Sequence, residues 1–244
     1  MLGEFLEISL STPDILASIE FYERLGFNHA STGETRKHPY AVLTDGRLYL
    51  GLHKYEFTSP ALTFVLPELN KRIAAFEALD IRFEFCNIAL DQFNELGFLD
   101  PDGQMVTLLE ARTYSPLHAS HAKATLCGYF LEYRLAVRDR DESARFWEAL
   151  GFLPLGHTEE PVPYAQAARN DINLGLLQAP RRSAPTLVFA QDDMQGTAEL
   201  LDARGFDIRE TADGIVLQAP EGTVLSLLRP DETLPDTGVI ESDA

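Results

Sequence analysis

Two glutamates, Glu7 and Glu132, stand 125 positions apart in matching surroundings, Phe5-Leu6-Glu7 and Phe130-Leu131-Glu132. Each falls on a predicted strand. In the first, alternation puts Leu6, Ile8 and Leu10 on one face and Phe5, Glu7, Ser9 and Ser11 on the other. A carboxylate facing an interior must be paired, hydrated or protonated, because burying it bare is costly. Glu132 has Arg134 two residues on, on the same face. The two form an ion pair, or together orient a polar or charged ligand. Glu7 has only Ser9 and Ser11 beside it, which marks it as an unspent carboxylate for a cationic group or for general-base work.

Tyr40 and Tyr164 follow a proline at matching places where a strand rises from a loop. Rings with a polar tip suit a ligand wall, and a duplicated core position explains them equally well. His53 ends a strand whose counterpart ends in Leu177, and reads as a strand-end surface histidine within reach of the same region. Trp147 matches Tyr22 on an apolar helix stripe and reads as core. His118 and His121 have a spacing that could clip a metal on a helix, but no third ligand accompanies them. Cys86 and Cys127 lack metal spacing and read as free buried thiols. The chain has no glycine-rich phosphate loop, no G-x-S-x-G elbow and no CxxC pair.

The elements that must position these residues come from a duplication. Phe21-Tyr22-Glu23 matches Phe146-Trp147-Glu148, and Leu25-Gly26-Phe27 matches Leu150-Gly151-Phe152, all at the offset of the glutamates. The first unit reads as a strand at Glu4–Ser11, then a helix with Thr12 as N-cap, Pro13 at its first position and Gly26 at its end. Strands near 28–31, 40–44 and 48–53 follow, with Asp45-Gly46 as a tight turn. The second unit repeats the order: strand 61–66, helix 68–79 with Leu69, Ile73, Phe76 and Leu79 on one stripe, then strands on either side of Asp100-Pro101-Asp102-Gly103. The strand 104–110 presents Met105, Thr107 and Leu109 to one side. Residues 129–178 mirror the first unit, and 185–229 mirror the second.

The predicted organisation is a first domain over 1–112, a linker over 113–127, a second domain over 128–230 and an acidic tail over 231–244 that composition marks as disordered. The formal charge of -18 over 244 residues argues against nucleic acid, which needs a Lys/Arg surface. An acidic field draws in cationic small molecules, although solubility alone also accounts for it. No apolar run reaches the ~20 residues that cross a bilayer. The N-terminus lacks signal-peptide character, so a cytoplasmic location is expected.

Four βαβββ units paired into two domains, with the Pro13-Asp14…Leu25-Gly26-Phe27, Asp139…Leu150-Gly151-Phe152 and Asp100-Pro101-Asp102-Gly103 motifs, resemble the vicinal oxygen chelate superfamily. That group includes glyoxalase I, extradiol dioxygenases and bleomycin-resistance proteins. The resemblance implies an α+β fold of two tandem glyoxalase-like domains, each a cup-shaped sheet of two βαβββ modules with helices outside. In its metal enzymes, a His, Gln or Glu on the first strand of each unit and a Glu on the last strand hold Fe, Mn, Ni or Zn. The matching positions here are Glu7, Ala61 and Thr107 in one half and Glu132, Pro185 and Ser226 in the other. One carboxylate per half does not hold a catalytic ion. The expectation is therefore a metal-free, cofactor-free protein that binds a small molecule, in the manner of bleomycin-resistance proteins that sequester a cationic or aromatic toxin. The candidate ligand-binding residues are Glu7, Ser9, Tyr40, His53, Glu132, Arg134 and Tyr164, with no catalytic residue assigned. The alternative is a divergent metal-dependent glyoxalase or extradiol dioxygenase acting on a small carbonyl or catechol-like compound. Four modules in one chain allow a monomer, and a homodimer is also open.

Overall fold

In the computed structural model, which describes residues 1–30, 37–89, 93–111, 125–170, 172–181 and 183–230, the alternating first segment forms β1 (Glu4–Ser11). It is followed by α1 (Ile15–Leu25), β2 (Asn28–His29), β3 (Tyr40–Thr44) and β4 (Tyr49–His53). The second module contains β5 (Ala61–Leu66), α2 (Ile73–Glu77), β6 (Phe83–Asn87), β7 (Glu95–Leu99) and β8 (Met105–Glu110). The third comprises β9 (Tyr129–Val137), α3 (Arg140–Ala149), β10 (Leu153–Thr158), β11 (Tyr164–Arg169) and β12 (Ile172–Gln178). The fourth comprises β13 (Thr186–Ala190), α4 (Met194–Ala203), β14 (Ile208–Glu210), β15 (Gly214–Gln218) and β16 (Val224–Leu228). The expected α+β architecture is present. Each half is one eight-stranded mixed sheet, in the order β2-β3-β4-β1-β5-β8-β7-β6 and its copy β10-β11-β12-β9-β13-β16-β15-β14. The central strands of each sheet pair as β1 parallel to β4, β1 antiparallel to β5 and β5 parallel to β8.

Several local expectations give way to specific physical reasons. The N-cap of α1 is Asp14, whose carboxylate accepts from Leu16 N–H and Ala17 N–H, while the Thr12 hydroxyl bonds to Ser18 Oγ instead. The stripe predicted for one helix over 68–79 is broken into a 3-10 turn at Leu69–Lys71 and the short α2, which leaves Leu79 exposed. Strict alternation fails at the start of β1, where the register shifts between Phe5 and Glu7. This bulge sends Phe5 into the main core and Leu6 to a small cluster with Val65 and Leu109. β9 shifts at the matching place, between Phe130 and Glu132. Trp147 is core, as expected; Cys127 is buried and free, but Cys86 is free and exposed. His118, His121, most of the predicted linker and the tail lie outside the described residues.

The two halves share one apolar core and clasp each other reciprocally. Phe27 meets Phe189 edge-on, and Phe98 meets Phe146. Glu221, in the turn between β15 and β16, accepts from Ser18 Oγ and from Tyr22 Oη on α1, at 2.7 Å each. In the other direction Asp102, in the turn between β7 and β8, accepts from Ser143 Oγ on α3 at 2.6 Å and from Arg138 N–H at 2.9 Å. The neighbouring Asp100 has its Oδ1 satisfied by backbone N–H groups of Asp102 and Gln104, but its buried Oδ2 has no partner among the described residues. Burial, opposed by those bonds, pushes its carboxyl up to about 6.

Because the folded protein binds the Asp100 proton more tightly than the unfolded chain, the ionised form carries a stability penalty above pH ~6 that is relieved as pH falls toward ~4. Asp100→Asn is expected to raise unfolding free energy by about 1–2 kcal/mol at pH 7.5 and to give little gain at pH 4.5, measured by urea denaturation. Glu221→Ala, which removes the carboxylate that accepts from the fully buried Tyr22 hydroxyl, is expected to cost about 1–3 kcal/mol in the same assay.

Candidate functional site

The parallel pairing of β1 with β4 sets Ser9 beside Gly51 and Ser11 beside His53. The Glu7 side chain lies across Gly51, where a Cβ would come within 2.1 Å of its carboxylate. The second half repeats the device: β9 pairs with β12, and a Cβ at Gly175 would lie 2.2 Å from the Glu132 carboxylate. Both glutamates are 1% exposed. A missing side chain on the parallel neighbour is what admits each carboxylate into the sheet.

Glu7 is not unspent. Its Oε1 accepts from Ser9 Oγ at 2.8 Å and pairs with His53 Nε2 at 2.9 Å; its Oε2 accepts from Tyr40 Oη at 2.6 Å. Burial alone would push this carboxyl up, but the hydrogen bond and charge of His53, with the bonds from Tyr40 and Ser9, outweigh it and hold the group below its ordinary value. His53 is not a surface residue; it is buried, its ring centroid 4.6 Å from that of Tyr40, and its Nδ1 lies 3.0 Å from Nε2 of half-buried His38. Ser11 turns away, its hydroxyl donating to the Tyr55 carbonyl.

Glu132 is closed off by different groups. Its Oε1 accepts from Arg134 Nε at 2.7 Å, and its Oε2 from Gln166 Nε2 at 3.0 Å and from Tyr164 Oη. The ion pair expected between Glu132 and Arg134 is present. Tyr40 and Tyr164 both serve as donors to the duplicated carboxylate, and burial together with that charge pushes the Tyr164 phenol up. Arg134 occupies the place of Ser9, and Leu177 that of His53.

The concave face of the first sheet encloses a cavity of about 510 Å³, larger than the other two described, of about 150 and 220 Å³. Ser9, Thr63, Thr107 and Met105 form its floor. His38, His53, Tyr55 and Phe57 stand on one wall, and Glu84, Phe85 and Glu95 on the other. Tyr55 stacks on His38, and Phe57 meets His53 edge-on. Of the sequence-derived candidates, Ser9 and His53 line this cavity, Glu7 and Tyr40 stand behind His53, and Glu132, Arg134 and Tyr164 form a separate cluster in the other half.

Metal-ligand positions can be read from the register. Glu7 pairs with Thr63, and Thr63 with Thr107. Ala61 lies one cup-facing step away, beside Ser9 and Met105. In the second half the row is Glu132, Val188 and Ser226, and Pro185 precedes the strand altogether. One carboxylate already engaged by three donors, with neutral hydroxyls beside it, is a poor donor set for a divalent ion. His53 and Glu7 bond to one another rather than converging on a point, and among the described residues no three His, Cys, Asp or Glu side chains could hold a metal. The residues do not fit the metal centre that the resemblance implies.

Solved extradiol dioxygenases share this architecture. A point mutant of homoprotocatechuate 2,3-dioxygenase from Brevibacterium fuscum aligns over 95% of this chain and 74% of its own, with a TM-score of 0.63 at 17% identity. Homoprotocatechuate 2,3-dioxygenase from Arthrobacter globiformis aligns over 93% and 80%, with a TM-score of 0.64 at 14% identity. A catechol 2,3-dioxygenase aligns over 93% and 88%, with a TM-score of 0.58 at 16% identity. At such identities the likeness is one of fold. No family model and no curated protein matches the sequence.

Gly51→Ala and Gly175→Ala are each expected to push the pinned carboxylate off its donors and to cost about 1–3 kcal/mol in urea unfolding. An unchanged midpoint in both would mean that the glycines do not make room for the glutamates.

Proposed function

We propose that the first cup binds a small aromatic compound carrying a positive charge, and that the protein acts by holding that compound rather than through a bound metal. The observation that carries this reading is the cavity lining: Tyr55, Phe57, Phe85 and the two imidazoles offer ring faces, while Glu56, Glu84 and Glu95 are present without a lysine or arginine among the described lining residues. The overall acidity of the chain supports it by favouring approach of cations. Sequestration of a toxic aromatic amine, as in bleomycin-resistance proteins, is the biological role that fits such binding. The second half, whose carboxylate is already neutralised by Arg134, serves as scaffold.

Dopamine and homoprotocatechuate make a matched pair of probes, sharing the catechol ring but bearing an ammonium or a carboxylate on the side arm. Dopamine is expected to raise the melting temperature with concentration, by mass action, and homoprotocatechuate to leave it unchanged. The reverse order would overturn the charge preference. The second reading, a metal-dependent glyoxalase or extradiol dioxygenase, is favoured by the fold of the dioxygenases above and opposed by the Glu7, Thr63 and Thr107 row. Elemental analysis of protein purified without chelators separates the two: the expected metal content is well below one equivalent, and a full equivalent of Fe, Mn, Ni or Zn would favour the enzyme.

A further inference from the structure

We propose that Glu7 and His53 form a metal-independent general base in the wall of the first cup, and that the bound amine also carries an acidic hydroxyl, which this base deprotonates. This rests on the cup being the binding site. The protonation states follow from the hydrogen bonds. Glu7, held ionised, can only accept, so His53 Nε2 must carry the proton shared with it. In the neutral ring Nδ1 is then an acceptor, and His38 Nε2–H donates to it. His53 is thus aligned by a buried carboxylate at one nitrogen and basic at the other, the arrangement that makes an imidazole a positioned base. The Glu7 carboxylate lies 2.9 Å from His53 Nε2. Among the described residues, the other titratable groups around the ring are Tyr40 from β3, committed to Glu7, His38 before β3, and Tyr55 and Glu56 in the loop after β4.

The two walls of the cup divide the ligand's polarity. His53 ends β4; Glu84 and Glu95 belong to β6 and β7, on the far side of β1, β5 and β8. A ligand spanning the cavity places its ammonium at the carboxylates and its hydroxyl at His53 Nδ1, where it takes the place of the His38 N–H. The O–H bond breaks, the proton forms the Nδ1–H bond, and the electron pair stays on the ligand oxygen. No electron acceptor or metal takes part. The ligand class is therefore an aminoalkyl phenol. The second half cannot do this, because Arg134 holds Glu132 and Leu177 stands in place of the histidine.

The probe is 4-(2-aminoethyl)-2-nitrophenol, whose phenolate is yellow and whose ammonium matches that of dopamine. Binding is followed by thermal shift, and ionisation by the phenolate absorbance across pH. The expected result is that the midpoint of the bound probe falls by about one pH unit or more, a tenfold gain in ionisation. Glu7→Gln, which keeps a partner for Tyr40 and Ser9, is expected to bind the probe without that shift. His53→Gln, which retains a donor toward Glu7, is expected to do the same. A probe that binds with its solution midpoint, or a shift that survives both variants, overturns the general base and leaves the binding reading standing. Failure of both this probe and dopamine to bind removes the binding reading, and the base with it.

Discussion

A carboxylate buried inside a sheet needs room and a compensating donor, and both cups are arranged around meeting those two needs. Room comes from Gly51 and Gly175 on the strands running parallel to those that carry the glutamates. Compensation is supplied differently in each half. Arg134 is a permanent cation, and its Nε lies 2.7 Å from Glu132 Oε1. In the other half Glu7 is held by hydrogen bonds from Ser9, Tyr40 and His53, and the second nitrogen of that imidazole lies 3.0 Å from His38 Nε2.

The row across β1, β5 and β8 is a carboxylate beside two threonine hydroxyls. Ser9 bridges them, its hydroxyl bonding both to Glu7 and to Thr63. Ser9 and Thr63 are thus joined in one hydrogen-bonded chain that ends on the Glu7 carboxylate. The imidazole of His53, at the end of β4, lines the cavity beside the cup floor.

The duplication made the architecture legible. Repeated Leu-Gly-Phe helix ends, the DPDG turn and period-2 strands fixed the module order, because each depends only on neighbours in sequence. What failed depended on pairing across the sheet. Phe5 and Leu6 changed faces because of a bulge that alternation does not encode. Glu7 seemed to lack a cation because its partner, His53, comes from a different strand of the module. A signal was present in the repeat itself: Ser9 with His53 in one copy becomes Arg134 with Leu177 in the other, an exchange of charge partners around an unchanged glutamate. Read as a linked pair of changes, it would have placed the histidine against the carboxylate. Helix α2 shortened because its stripe, though periodic, had no N-cap side chain to start it.

The reciprocal clasp has a consequence for how freely the halves can be exchanged. Asp102 reaches a serine on the opposing helix and an arginine just before it, whereas the position in the first half that corresponds to Arg138 is Pro13. Two copies of the first half meeting as a pair would each press an aspartate against a proline, with no guanidinium to receive it. Each half both donates and accepts across the seam, but with different partners in the two directions, so two copies of either half would not reproduce the contacts of the pair.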